Sequence, residues 1–281
     1  MSYAGIYINL DRSMERRDAM EAELARHGLG ERYRRYPAAD GNILGGPTSL
    51  TDSEMGCFTS HYSIVKENRD GAKHLHIVED DVMFSRLTER MISHIVTSSL
   101  MDRYDIVFLD SVIDPLREGL PFREYKELYD KCIIRDEGGN VAKVNFAPIE
   151  YVGAASSYLV NSRSIGKLLS VYDEVLAGGP KDAVDTMIRK KGQAGALRVG
   201  CLFPFLTSIR LEGITSTITG RKSDDLSALA MNVSRHSFFV DCNMGALLDY
   251  ADKVLPASTD PHYRLLSHVL GFSLTPNFRK F

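Results

Sequence analysis

Apolar residues along this chain fall into short runs separated by stretches of helical period, the pattern of buried strands alternating with amphipathic helices. Residues 3–10 read as the first buried strand, after which Asp11, Arg12 and Ser13 turn into a helix with Ser13 at its N-cap. That helix carries Met20 and Leu24 on one face and ends at Gly28. Residues 31–37 read as a short second strand running into a Gly/Pro-rich loop up to Ser49, a candidate for mobility. Thr51-Asp52-Ser53-Glu54 has the spacing of a capping box, and Met55, Phe58, Tyr62 and Val65 form the core face of the helix it opens. Gly56 inside that helix costs about 1 kcal/mol relative to alanine, so another element or a ligand is expected to approach its backbone. A branched apolar run at 75–78 has strand length, a helix is expected over about 85–98, and 104–110 is a second strand-like run ending in a carboxylate, Asp110.

Farther on, residues 114–140 are polar and turn-rich, and read as an insertion with a hairpin closing at Gly138-Gly139-Asn140. A strand of small residues follows over 152–160, then a helix N-capped by Ser162 with Ile165, Leu168, Leu169 and Tyr172 on its apolar side. Gly178-Gly179-Pro180 breaks it, another helix starts at Lys181, and 197–205 is a further strand with Cys201 as a core thiol. Residues 213–220 are a hydroxyl-rich loop or edge strand. Strands and helices alternating in this way predict a parallel α/β sheet whose ligand lies beyond the carboxyl ends of its strands. Beyond residue 221 the chain looks mainly helical, around 226–233, 246–254 and 262–270, so we divide it into an α/β domain, 1–220, and a helical C-terminal extension, 221–281.

The chemistry centres on Leu75-His76-Ile77-Val78-Glu79-Asp80-Asp81-Val82. Three adjacent carboxylates at a strand's end repel one another, and a hard divalent cation, Mg²⁺ or Mn²⁺, shared with phosphate oxygens relieves that repulsion. Arg12, Arg16 and Arg17 gather at the start of the first helix, where guanidinium forks and helix N–H groups together suit a diphosphate. Each of these features has a plain structural reading as well. The acids suit a solvated turn, the arginines a helix surface, Glu54 a cap, and His61 a hydrogen-bonded core imidazole.

Composition narrows the partners. With 281 residues, 44% of them hydrophobic, the chain can bury a substantial core. Thirty-four basic against thirty-seven acidic residues leave no basic excess, so nucleic acid is not expected as a partner. Cys57, Cys132, Cys201 and Cys242 form no Cys-x-x-Cys pair, which argues against a zinc knuckle or a disulfide framework and for a reducing compartment. The first ten residues lack a basic, apolar leader pattern, and no run reaches membrane-spanning length. A cytoplasmic protein is expected, with at most peripheral membrane contact through the basic, aromatic tail Phe278-Arg279-Lys280-Phe281.

Four blocks together resemble glycosyltransferase family 25, the lipopolysaccharide and lipooligosaccharide glycosyltransferases that also include galactosyltransferase domains acting on collagen hydroxylysine. They are Ile8-Asn9-Leu10-Asp11-Arg12 with Arg16-Arg17; Glu54-Met55-Gly56-Cys57 with Ser60-His61; Val78-Glu79-Asp80-Asp81-Val82; and Gly153 to Leu159 with Asp185 downstream. The resemblance implies a GT-A type, Rossmann-like mixed sheet flanked by helices, a nucleotide-sugar donor, most often UDP-galactose, and Mn²⁺ or Mg²⁺. It further implies that Asp81 ligates the metal and that Glu79 contacts the ribose or a metal-bound water. Asn9, Leu10 and Arg12 would then border the nucleoside, with Arg17 and Asp80 on the same donor side, while Glu54 and His61 line the sugar or acceptor side. Transfer would be inverting, onto a saccharide or glycolipid acceptor, and would need a base opposite the leaving diphosphate. Asp185 matches the family's downstream Asp and comes first for that role, ahead of Asp182 and Glu150. His236, His262 and His268 are candidates to complete the metal's coordination. A nucleotidyltransferase, a nucleotide-sugar hydrolase or a silent carbohydrate-binding scaffold is compatible with the same residues.

Overall fold

The computed structural model describes residues 2–113, 122–138, 141–210, 226–254 and 261. Its first part runs β1 (Tyr3–Asn9), α1 (Met14–Arg26), β2 (Tyr33–Pro37), α2 (Asp52–Glu67), β3 (His74–Glu79), β4 (Val82–Phe84), α3 (Thr88–Thr97), α4 (Leu100–Arg103) and β5 (Ile106–Phe108). Next come α5 (Phe122–Cys132), β6 (Ile133–Arg135), β7 (Val141–Val144), β8 (Ala147–Ile149), β9 (Ser157–Val160), α6 (Ile165–Ala177) and α7 (Val184–Gln193). The remainder is β10 (Val199–Phe203), β11 (Thr207–Ile209), α8 (Leu226–Ser237) and α9 (Met244–Val254).

Seven strands form one sheet in the order β2-β1-β3-β9-β5-β10-β8. β1 runs parallel to β2 and β3, and β5 parallel to β10, while β9 lies antiparallel between β3 and β5 and β8 runs antiparallel at the far edge. The mixed sheet flanked by helices is thus present, but its middle is not parallel throughout. The inner strands are largely apolar because both faces are covered, whereas the edge strands β2 and β8 are partly exposed. Ile6, Ile77, Ile106, Phe108 and Tyr158 face a core built with α2, α6 and α7, whereas Tyr7, Val78, Val107 and Leu159 face one built with α1 and α3. Alternation with a period of two sorts neighbouring residues between the cores.

Several elements differ from the sequence reading. β4 pairs antiparallel with β11, a two-stranded ribbon inserted before the helix expected from residue 85. Within the insertion, α5 buries Tyr125 and Cys132 and leads into the expected hairpin, β6 with β7, whose turn at 139–140 lies outside the described residues. The segment 234–240 packs into the same core as the sheet. Phe205 donates its N–H to the Phe238 carbonyl at 3.0 Å and accepts from the Val240 N–H at 3.0 Å. The Phe238 ring lies 5.4 Å from that of Phe203 and 5.0 Å from that of Phe122. The division at 220/221 itself lies outside the described residues. Residues 213–220, 262–270 and the tail at 278–281 lie outside them.

Candidate active site

β1 and β3 end side by side, and their register places Ile8 opposite Glu79. Asn9 and Glu79-Asp80 therefore open together onto one cleft, which Leu10, Arg12, Ser13 and Arg16 close from the start of α1. Ala38, Ala39, Asp40 and Gly41 wall it on the β2 side, and Ser53, Cys57, Ser60 and His61 form the face contributed by α2. The cleft spans about 620 Å³, open solvent at its mouth included.

The wall at 38–41 is held by close approach. A Cβ on Gly56 would lie 2.5 Å from the Ala39 carbonyl oxygen and 3.0 Å from the Gly41 nitrogen, so glycine is required for α2 to sit where it does. Ser60 Oγ accepts the Ala39 N–H at 2.9 Å and donates to the Gly56 carbonyl at 2.7 Å. The far end of the loop is pinned as well, by Ser49 N–H at 3.2 Å and Thr48 Oγ1 at 2.8 Å, both donating to the Pro180 carbonyl.

The three carboxylates have distinct surroundings. Asp80 is buried, accepts from Asn9 Nδ2 at 2.6 Å and pairs with Arg16 at 2.5 Å. The same guanidinium lies 2.9 Å from Asp81. Burial nevertheless pushes the Asp80 carboxyl up, against Arg16 and Asn9. Burial, followed by the charge of Glu79, raises the Asp81 carboxyl to about 6, and its Oδ1 is buried with no hydrogen-bond partner. Burial acts upward on Glu79 too, but His61, Arg16 and Arg235 outweigh it and hold that carboxyl below its ordinary range. Glu79 Oε1 lies 3.9 Å from Cys57 Sγ and 3.8 Å from His61 Nε2, and His61 Nδ1 is 2.8 Å from the Tyr158 hydroxyl.

The structure brings together Asn9, Leu10, Arg12, Glu79, Asp80 and His61 at this cleft, with Asp81 immediately behind. Arg12 pairs with Asp40 across the opening. Arg17 does not line it: it lies 3.9 Å from both Asp18 and Glu21 along α1, and its neighbour Arg16 is the one that reaches the acids. Glu54 is also elsewhere. Its carboxylate accepts from the Thr51 N–H and hydroxyl, each at 2.8 Å, and so closes the capping box at the start of α2. Asp185 stands at the first turn of α7, its Oδ2 accepting from the Ala154 N–H at 3.1 Å and its Oδ1 from the Thr186 N–H at 2.6 Å. Its charge reaches inward: after burial and Glu79, it is among the groups that raise the Cys57 thiol. Asp182 is committed to an ion pair with Lys190 at 2.6 Å, and Glu150 is exposed. His236 is buried against Ser208 Oγ at 3.1 Å, apart from the cleft lining, while His262 and His268 lie outside the described residues.

Sequence reasoning missed Arg235. Its guanidinium, buried on α8, makes a bidentate pair with the fully buried Asp110 and donates to Ser156. This cation acts downward on both Glu79 and Asp81, helping to hold the first below its ordinary range while burial and Glu79 still keep the second raised. The local sequence around it, Asn232-Val233-Ser234-Arg235-His236-Ser237, is polar and gives no sign of burial.

A cleft outside the carboxyl ends of parallel strands, walled by carboxylate, guanidinium, imidazole and thiol groups, is the ligand site of an α/β enzyme. Residues 45–188, just over half of the chain, match the family model for glycosyltransferase family 25 (LPS biosynthesis protein). The chain belongs to that family and is a glycosyltransferase. The matched span contains the α2 block, the acidic motif and Asp185, and leaves out the block at 8–17. Among solved structures, the chain is similar to the galactosyltransferase LgtC crystallised with donor and acceptor sugar analogs. The identity is 12%, covering 93% of this chain and 99% of that one, with a TM-score of 0.37, a superposition too loose to pair residues. No curated protein matches the chain. Among the described residues no helix is long and apolar enough to cross a membrane.

Proposed function

We propose that this glycosyltransferase has a GT-A type fold and moves a hexose, galactose from UDP-galactose, onto a saccharide of a lipopolysaccharide, lipooligosaccharide or related glycan, with inversion and with Mn²⁺ or Mg²⁺. The observation that carries the proposal is the acidic motif ending β3 at a cleft walled by guanidinium and imidazole groups, with one buried carboxylate oxygen, Asp81 Oδ1, left without a partner. A buried acceptor of that kind beside two further carboxylates suits a hard cation. Asp81 and Glu79 would hold it. When bound, the ion neutralises the charge that gathers on the departing diphosphate.

The chain's own residues do the rest. Asn9 and Leu10, at the end of β1, border the nucleoside, and Arg12 and Arg16 offer charge-assisted hydrogen bonds to the diphosphate oxygens. Asp80, fixed by Asn9 and Arg16, orients this donor side, while His61 lines the wall toward the sugar. Asp185, held by two backbone N–H groups, takes the acceptor hydroxyl's proton as the glycosidic bond forms through an oxocarbenium-like transition state. Glu54, tied into the capping box, and Arg17, outside the cleft lining, have no part in this scheme.

The test is a screen of UDP-, GDP- and CMP-sugars with saccharide acceptors, with and without Mn²⁺, the products being read by mass spectrometry. A new galactoside formed only from UDP-galactose and only with metal is the expected result. Free sugar or nucleoside monophosphate without any glycoside would overturn the proposal.

A further inference from the structure

We propose that Cys57, His61 and Glu79 form a site for a borderline-soft divalent ion of the zinc or cobalt class, at the wall of the cleft. Cys57 and His61 are one helical turn apart on α2 and so share a face, while Glu79 meets them from the end of β3. Cys57 Sγ, His61 Nε2 and Glu79 Oε1 all lie within 4.8 Å of one another. Bonds of about 2.0–2.3 Å to a tetrahedral ion give ligand–ligand edges of roughly 3.3–3.8 Å. The separations of 3.8 and 3.9 Å to Glu79 are close to those edges, and the third closes by a side-chain shift of about an ångström.

A second observation points to a ligand. His61 is fully buried, yet its Nε2 has no hydrogen-bond partner and faces this gap. Its other nitrogen is engaged by the Tyr158 hydroxyl at 2.8 Å, with the two rings stacked at 22°. A ligating histidine is ordinarily fixed in this way, Nδ1–H donating to an outer partner while the Nε2 lone pair meets the ion. All three residues also line the cleft, so a fourth coordination position opens toward substrate, where a water, hydroxyl or phosphate oxygen completes the set. Thiolate and imidazole donors favour zinc-like ions over Mg²⁺. This inference rests on the proposed transferase only through Glu79, which both readings place at a metal.

The test titrates the full-length protein with Co²⁺ alone. Expected are a thiolate-to-cobalt charge-transfer band and the intense visible bands of a four-coordinate ion. Cys57→Ser loses the charge-transfer band, Tyr158→Phe weakens cobalt binding about ten-fold, and Asp81→Asn keeps the band. X-ray absorption of the zinc-loaded wild type, which needs no variant, should show one sulfur and one imidazole. Absence of the band, its survival in Cys57→Ser, its loss in Asp81→Asn, or an oxygen-only zinc shell would each overturn the site. Calorimetry of UDP with Mn²⁺ reports separately on the transferase reading, so the failure of either is recognised without the other.

Discussion

Replacing Gly56 with alanine puts a methyl group 2.5 Å from the Ala39 carbonyl oxygen, closer than a Cβ tolerates, and the obstacle is backbone rather than a side chain that can swing away. Overpacking of this kind costs about 1–3 kcal/mol. Alanine returns about 1 kcal/mol of helix propensity, leaving a net destabilisation between about zero and 2 kcal/mol. Gly166, within α6, supplies the control, because nothing lies within 4 Å of its would-be Cβ. Gly166→Ala should stabilise by about 0.5–1 kcal/mol. Both substitutions add alanine to a helix, so the difference between them, about 1–3 kcal/mol, isolates the steric cost. Thermal unfolding followed by circular dichroism should place Gly56→Ala about 2–10 °C below Gly166→Ala. Because the displaced residues wall the cleft, the KM for donor should rise in Gly56→Ala alone. Equal melting temperatures with an unchanged donor KM would refute the claim that α2 touches the 38–41 loop.

Further expectations concern the buried charges and the proposed base. Arg235→Met leaves the Asp110 carboxylate buried without its cation and should cost about 3–5 kcal/mol in urea unfolding, with a smaller loss in the Arg235→Met, Asp110→Leu double variant. A loss under about 1 kcal/mol in the single variant would show that the pair is not formed. Asp185→Asn should lower turnover by about 10²–10⁴ at saturating donor and acceptor, and wild-type turnover would remove Asp185 as base. Stability should fall with pH in two stages. Burial holds His76 down to about 3 and His236 to about 4, so between about pH 6.5 and 4 the unfolded chain binds protons that the folded chain refuses. Each contributes a slope of about 1.4 kcal/mol per pH unit. Asp105 meets a burial penalty that its bonds from Arg198, Lys167 and Ser164 more than offset, leaving its carboxyl far below the ordinary range. Its contribution is complete above about pH 4 and lost only in stronger acid, and urea midpoints from about pH 1.5 to 8 should show both stages. Asp81, raised to about 6, and the raised Asp80 and Asp110 act in the opposite sense over this window, so the histidine contribution is read by comparing wild type with His76→Gln, and identical pH profiles of the two would contradict a neutral buried His76.

Where chain-local chemistry decides, the sequence was readable. The Thr51 capping box, the glycine inside α2 and the strand ending in Glu79-Asp80-Asp81 are each set within a few residues, and each is found in place. Partners distant in sequence were not readable. Arg235 meets Asp110 across 125 positions, and the ribbon of β4 with β11 joins two three-residue strands too short to carry a period. Likewise, the apolar run of β9 reads the same in either direction, so its reversal inside the sheet comes from connectivity rather than composition. Arg16 and Arg17 show the limit most sharply. They are adjacent and chemically alike, and only the helix's rotation decides that the first meets the acids.

The reversed strand at the centre of the sheet constrains how the protein is made. β3 leaves the ribosome long before residues 157–160, which cover its inner edge, and β5 waits for both β9 and the still later β10, so the emerging chain holds a three-stranded β2-β1-β3 sheet with one bare inner edge. Fragments ending before residue 157 should therefore associate with one another, and ordered closure of the nascent chain waits for its second half.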